Sequence, residues 1–507
     1  MLVESRLNEK EKHYDLFVIG GGVNGCGVAR DAVGRGYSVG LAEMNDLASG
    51  TSSASTKLIH GGLRYLEQYA FRLVREALME REVIWHMAPH LVRPLRFILP
   101  YNKGLRPAWM LRLGLFIYDH LGSRHQELWR TKVLDLTKEY SESLKPGFVK
   151  GFEYSDARVD DARLVVANAR HAARLGADIM VRTEVVSLKA DGKKWKIGLK
   201  NKLNGEEWTV TADYLANMAG PWINHVLQDA LGFKGHPPVR LVKGSHIVVP
   251  KLYQHDRAFI FQNKDGRIVF AIPYQEDFTL IGTTDCDYKG DPAKVHISDE
   301  EIDYICSAAS EYFTKPVLRD SIVWAYSGVR PLYDDGASKA QEATRDYVLK
   351  EMRENDGAVM LNAFGGKITT FRKLSEDALV FIEKALGKRK PAWTAEVSLP
   401  GGDFPHDSLS VMEARVASIL PDLDAKTHRR LARNYGTEAL EIFDNGKKDK
   451  GQHFGHGLYE AEVQWMMREE WAKDVDDVLW RRSKLGLYFN DEEKEALRQY
   501  LEKHKTI

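Results

Sequence analysis

An α/β fold of several domains is predicted by three features of the 507-residue sequence. A strand, a glycine turn and a helix open the chain, two later stretches alternate as β-strands do, and the end reads as helices. Asp15 to Ile19 (DLFVI) is a short apolar run that stops at Gly20, Gly21 and Gly22, and small and apolar residues then recur at helical spacing from Val23 to Val33. Tyr37 to Ala42 (YSVGLA) is a second strand ending in Glu43, so the chain begins with a βαβ unit. A helix rich in Arg and Glu is expected from Phe71 to Trp85, closed by Pro89 and Pro94. Residues 181–219 carry strands around DGKK and NGEE turns, and 240–285 carry four more: RLVKGSHIVVP, AFIFQ, RIVFAIPY and FTLIGTT. A charged helix over 298–313 and the strand IVWAYSGV follow, and composition changes at PAWTAEVSLPGGDFP (391–405), beyond which helices dominate.

Composition narrows the function. Lys and Arg number 72 and Asp and Glu 72, a balance unlike that of a general nucleic-acid binder, and no nucleic-acid partner is expected. Cys26, Cys286 and Cys306 are too few and too scattered for a disulfide framework or a four-ligand zinc site. Cys26 reads as helix core, His453 and His456 as a solvated loop, and no metal is expected. The N-terminal MLVESRLNEKEKHYD has neither a secretory nor a transit pattern, and no run of about 18 apolar residues predicts a membrane span.

The chemistry begins at Gly20-x-Gly22-x-x-Gly25. In a dinucleotide fingerprint the first glycine makes the turn, the second lets backbone approach a pyrophosphate, and the third lets helix and strand pack closely. Glu43, 18 positions after Gly25, stands where a carboxylate can accept a ribose hydroxyl. The strand then runs into LASGTSSAST (47–56), whose hydroxyls and glycines suit an extended ligand, which favours FAD over NAD; a solvated Ser/Thr loop is the alternative.

Ten segments in order, GGGVNGCGVARDAVGRG, TSSASTKLIHGGLRYLE, MAPHLVRPLRFILPY, FEYSDARVDDARLV, KGSHIVVP, IGTTDCDYKGDP, YSGVRPL, TRDY, FGGKITTFRKL and LWRRSKLGL, closely resemble the bacterial aerobic, FAD-dependent glycerol-3-phosphate dehydrogenases. That family sits in the glycine oxidase and D-amino-acid oxidase group of flavoproteins. The resemblance implies an α/β fold with a discontinuous Rossmann-like FAD domain, an inserted α+β substrate domain and a C-terminal helical domain. The expected boundaries are 11–105, 151–236 and 346–391 for the FAD domain, 106–150 for a helical membrane-contact segment, 237–345 for the substrate domain with an antiparallel sheet, and 392–507 for the helical domain. One departure is Met218-Ala219-Gly220 where Ala-Thr-Gly is commoner.

The resemblance further implies non-covalent FAD, sn-glycerol 3-phosphate as substrate and dihydroxyacetone phosphate as product. Cofactor contacts are expected from Gly20, Gly22, Asn24, Gly25, Glu43, Thr51, Ser52, Ser55, Lys57, Leu58, His60, Gly61, Gly62, Gly220, Gly366, Lys367 and Thr369. Arg64, Tyr65, Thr283 and Arg345 would bind substrate, since a dianionic phosphate needs convergent cations. His246, Arg330 and Lys367 are the catalytic candidates. His246 is either the base or a satisfied core histidine, and Arg330 is a possible stabiliser of the alkoxide while water takes the proton.

From Val83 to Tyr118 there is no acid, while Arg93, Arg96, Lys103, Arg106 and Arg112 are cationic. Trp109, Met110, Leu113, Phe116 and Ile117 in this stretch suit either a core helix or a helix lying in an anionic leaflet. The family's quinone reduction favours the second, with ubiquinone or menaquinone as acceptor, cytoplasmic location with peripheral attachment to the membrane, and a homodimer. The alternatives are a soluble glycerol-3-phosphate oxidase reducing O₂ to peroxide, or a flavin-containing binding protein without turnover.

Overall fold

The computed structural model describes residues 12–102, 107–122, 127–235, 239–334, 346–354 and 357–505. Its first sheet has eight strands. At its centre β1 (His13–Ile19) lies parallel to β2 (Val39–Glu43) on one side and to Glu207–Asn217 on the other. Asp178–Val181 and Val359–Phe364 extend it in parallel, Val348–Arg353 closes one edge antiparallel, and the hairpin Thr183–Asp191/Lys194–Asn201 is added to Glu207–Asn217. Parallel strands covered on both faces must be apolar throughout. Leu16 to Ile19 are accordingly buried, under α1 (Val23–Gly34) and the helices Asp161–Arg174 and Phe371–Leu386 that flank it. Cys26 is fully buried in α1, as expected of a core residue, and burial pushes its thiol pKa up.

The second sheet has ten strands. Val239–Pro250 pairs antiparallel with Trp324–Tyr333 from Val239 to Val248 and with Phe278–Gly282 and Cys286–Asp287 on its other side. Ile268–Tyr274 and Ala258–Gln262 continue the sheet, and Ala258–Phe259 then joins Val92–Pro100 in the one parallel pairing among the described strands of this sheet. Beyond it come Lys150–Val159, Leu58–Ile59 and Lys132–Asp135. The segments 11–105 and 151–236 therefore each lend strands to this sheet as well as to the first. Pro94, expected to end a helix, lies inside Val92–Pro100. It is tolerated because on that side Ala258–Gln262 pairs only with Phe97 and Ile98, so its missing N–H faces no partner strand.

The helices follow the expected order. α2 (Phe71–Met87) and α3 (Ala108–Leu121) pack on each other, and Asp299–Ser310 starts from a capping box between Ser298 and Glu301. The C-terminal part has its own apolar core built on Leu409–Ile419, Ala425–Tyr435, Glu460–Glu469 and Asp491–Lys503, with the small hairpin His453–Gly455/Leu458–Tyr459 as its β exception. It docks on the first sheet through buried ion pairs, Arg163 with Glu470, Arg170 with Glu438, and Arg482 with Asp46. Asp46 stands three residues beyond the end of β2.

Candidate active site

A cavity of about 380 Å³ begins at the fingerprint turn and ends against the second sheet. Its first wall shows why three glycines are spaced as they are. Gly20 has φ +109°, and a Cβ there would lie 2.7 Å from the Met218 carbonyl oxygen; a Cβ on Gly25 would lie 1.9 Å from that of Gly20. Gly25 thus serves packing and does not reach the cavity, unlike Gly20 and Gly22. Gly22 caps α1 with no side-chain cap, and the Val23 N–H donates to Ser52 Oγ at 3.0 Å. Asn24 Nδ2 donates to the Gly365 carbonyl at 3.3 Å, leaving its Oδ1 buried without a partner beside the helix N-terminus.

Glu43 accepts from Gly21 N–H at 2.7 Å with one oxygen and from Asn45 N–H at 2.8 Å with the other. Burial raises its pKa, and the two amides only partly oppose this. The carboxylate fixes the turn while keeping further lone pairs on the cavity side.

The Ser/Thr loop is ordered, not solvated. Thr51 Oγ1 donates to the Val329 carbonyl at 2.5 Å, and Ser55 Oγ to Asp161 Oδ2 at 2.8 Å. Lys57, expected among the cofactor contacts, points the other way: its Nζ lies 2.9 Å from both Asp161 oxygens and from the Ser53 carbonyl. It shapes the loop from behind, because a buried ammonium needs a carboxylate. Gly61, also expected at the cofactor, spends its N–H on the Tyr118 hydroxyl at 2.8 Å and lies outside the lining. Thr51, Ser52, Ser55, Leu58, His60, Gly62, Gly220, Gly366, Lys367 and Thr369 line the cavity, as do Asn24 and Glu43.

At the far end stand Tyr65, Thr283, Arg330 and Lys367. Arg330, on Trp324–Tyr333, pairs with Asp285. Lys367 follows Gly365 and Gly366, whose φ of +76° and +97° turn the chain sharply before Ile368–Thr370. Its Nζ sits 3.9 Å from the Tyr65 ring centroid, and among the described residues no carboxylate lies within ion-pair distance of it. His60 donates its backbone N–H to Thr369 Oγ1 at 3.3 Å. Burial, then the charges of Lys367 and Arg81, push the pKa of its ring down to about 4.

His246 is placed one layer behind this wall and is 1% exposed. Its Nε2 is 3.0 Å from Thr56 Oγ1, its Nδ1 has no partner, and its ring stacks on Tyr326. Burial, and then Lys57 and Arg330, hold its pKa well below the usual value, so the imidazole is neutral. Arg345 and the side chain of Arg64 lie outside the described residues. The lining residues not singled out in the sequence include Thr56, Asp285, Arg267 and Trp222. Thr56 and Asp285 lie inside quoted motifs, whereas Arg267 follows a DG turn and Trp222 a Gly-Pro pair, neither of which signals a ligand.

The model of the FAD dependent oxidoreductases matches residues 15–370. The chain belongs to this family. The C-terminal domain of alpha-glycerophosphate oxidase matches 392–504. The chain is 49% identical over 491 residues to the glycerol-3-phosphate dehydrogenase of Pseudomonas aeruginosa, covering 96% of this chain and 95% of that one. It is 44% identical over 496 residues to the D-erythritol 1-phosphate dehydrogenase of Brucella abortus, covering 97% and 98%. Among solved structures, the glycerol-3-phosphate dehydrogenase of Bacillus halodurans complexed with FAD superposes with a TM-score of 0.75 at 27% identity, over 99% of this chain and 97% of that one.

The residues of this oxidoreductase fit FAD. The first turn of α1, with no side-chain cap on Gly22, offers N–H donors where a pyrophosphate needs them, and the orphaned Asn24 Oδ1 can accept from a hydroxyl or N–H of the cofactor. A Cβ on Gly366 would lie 2.7 Å from Asn24 Nδ2, so two glycine turns 341 residues apart meet across a cradle no larger residue would leave open.

Proposed function

We propose that this flavoprotein oxidises sn-glycerol 3-phosphate to dihydroxyacetone phosphate at a membrane surface and passes the electrons to a quinone. One observation carries the reading: Tyr65 beside Lys367, and Thr283 near Arg330, come from four separate segments and line one cavity that starts at a dinucleotide fingerprint. Bound FAD supplies the acceptor for the hydride leaving C2. Lys367, with no carboxylate partner among the described residues, is the cation open to the phosphate, and Arg330, half-neutralised by Asp285, orients the C2 hydroxyl and steadies its developing charge. The hydroxyl proton passes to Thr56 Oγ1 and from it to the neutral His246 Nε2, 3.0 Å away. Two relatives named for phosphates of short polyols are consistent with that site.

The membrane part rests on α3. Trp109, Phe116 and Leu113 are 66%, 59% and 51% exposed, whereas only Leu115 and Tyr118 are buried. That is the wrong way round for a core helix. No helix among the described residues is long and apolar enough to cross a membrane, so α3 lies in the interface.

Anaerobic titration of the holoenzyme with glycerol 3-phosphate should bleach the flavin, and a quinone analogue should restore its colour faster than O₂ does. An unchanged spectrum overturns the substrate; rapid reoxidation by O₂ with stoichiometric peroxide makes the protein an oxidase. D-erythritol 1-phosphate in a parallel titration tests the length of the polyol.

A further inference from the structure

Far from the cavity wall, side chains from three parts of the chain aim at one point. We propose that His86, Glu127 and His406 form a zinc site that clamps the C-terminal domain to α2. His86 is in the last turn of α2, Glu127 follows α3, and His406 precedes the helix Leu409–Ile419. The Nε2 atoms of His86 and His406 lie 2.8 and 2.7 Å from the same atom, Glu127 Oε2. All three ligand atoms fall within 4.8 Å of one another.

The ring geometry distinguishes this cluster from an ordinary surface ion pair. The two imidazoles stack face to face, 3.9 Å apart and 14° from parallel, with the Trp85 edge 4.5 Å from the His406 ring. A divalent cation bound between them takes both Nε2 atoms and Glu127 Oε2 as ligands; because the near-parallel rings hold their in-plane lone pairs side by side, one imidazole turns about its Cβ–Cγ bond to reach it. Two imidazoles and a carboxylate, with a position open to water, are zinc ligands and are poor ligands for magnesium or calcium. Bonds of about 2.0–2.1 Å would set the ligand atoms about 3.3 Å apart, an opening of about half an ångström for side chains that are a third or so exposed.

The location gives the site its consequence. His406 lies in the stretch matching the separate C-terminal domain, and His86 and Glu127 in the stretch matching the oxidoreductase. The metal would join the two domains at the surface, opposite in kind to the buried arginine–carboxylate pairs elsewhere on the seam. None of the three side chains lines the cavity, so the site holds structure and leaves the reaction alone.

Metal-stripped holoenzyme titrated with Zn²⁺ by calorimetry should take up one equivalent more than the triple variant His86→Gln, Glu127→Gln, His406→Gln. Either single histidine variant should weaken that equivalent by more than about 100-fold, beyond what changes to outer-shell partners cause. Zinc should raise the thermal midpoint of the wild type and not of the triple variant. X-ray absorption at the zinc edge of the wild type, which depends on no variant, should show two imidazoles. Equal zinc uptake by wild type and triple variant, no uptake by wild type, or an all-oxygen shell each overturns the proposal.

Discussion

Gly244 occupies a tight place at the substrate end of the cavity. A Cβ there would lie 2.8 Å from Thr283 Oγ1, 3.0 Å from Arg330 Nη2 and 3.1 Å from the Thr284 carbonyl oxygen. Arg330 is tied to Asp285 and Thr283 to the Thr284 carbonyl, so neither yields freely. Gly244→Ala should lower kcat/KM for glycerol 3-phosphate about 10-fold or more, equivalent to about 1.4 kcal/mol of transition-state stabilisation, with FAD content unchanged. Wild-type kinetics would show that Arg330 has slack the structure does not reveal. The proton path makes a second test at the same scale. If Thr56 and His246 act as one unit, Thr56→Val and His246→Asn should each slow kcat, and the double variant should be hardly slower than the worse single one. Additive losses would separate them. The sequence named His246 through its motif and Thr56 only as one hydroxyl among those of 47–56, because the layer between imidazole and cavity comes from the crossing of a loop over a strand.

Elements carry the next two consequences. α3 was ambiguous in the sequence because an apolar helix with some cations suits either a core or a leaflet, and only the placement of its neighbours decides which side is covered. The five cations of the surrounding stretch do not form one basic patch: Arg96 turns inward to Glu153, Arg93 is largely buried, and Lys103 and Arg106 lie outside the described residues, leaving Arg112 exposed on α3. Liposome flotation should therefore fall sharply in the variant Trp109→Ser, Phe116→Ser and survive added salt in the wild type, whereas a purely electrostatic contact would be lost as salt screens it. Tyr118, on the covered side of α3, holds both Asp156 oxygens at 2.8 Å as well as the Gly61 N–H, so this helix is tied directly to the turn that lines the cavity. At the other end of the cleft, Arg482 puts both terminal nitrogens on Asp46, at 2.7 and 2.8 Å, just beyond the strand that presents Glu43. Removing one partner of a buried pair costs about 3–5 kcal/mol, here reduced because Arg481 also holds Asp46. Arg482→Met should release FAD faster and lower the thermal midpoint; unaltered FAD retention on ultrafiltration would confine the C-terminal domain to a role apart from the cofactor.

The whole molecule responds to acid through its buried histidines. Burial first, and nearby cations second, push His60 and His255 down to about 4 and His90 and His171 to about 3, against 6.5 for the free side chain. Between those values the unfolded chain binds protons that the folded chain refuses, so stability is complete above pH 6.5 and falls as pH drops toward 4. The thermal midpoint should begin to drop below about pH 6.5 with uptake of several protons on unfolding; a midpoint level down to pH 5 would contradict these environments. At this scale the fingerprint, the strand-rich middle and the helical end were all legible, since glycine spacing and apolar periodicity are local. The sharing of strands between sheets was not. Val92–Pro100 and Lys150–Val159 flank a helical segment and look contiguous with the first domain, yet they pair with each other and Val92–Pro100 also joins Ala258–Gln262, and no local pattern announces a pairing that distant. Lys57 and Gly61 were misplaced for a related reason: a cofactor-like loop has two sides, and which one a side chain takes depends on Asp161 and Tyr118, far along the chain.

The contact between Asn24 and Gly365 spans 341 residues, and this has a consequence for the order in which the protein is made. At about 5–20 residues per second, the fingerprint emerges from the ribosome roughly 17–70 seconds before the glycine turn that faces it. Throughout that interval the nascent chain has one half of its flavin cradle, and the first sheet lacks the strands Val348–Arg353 and Val359–Phe364. Flavin capture is thereby deferred until well past the middle of the chain, and Glu207–Asn217 waits with an unpaired strand edge that other factors in the cell can meet first.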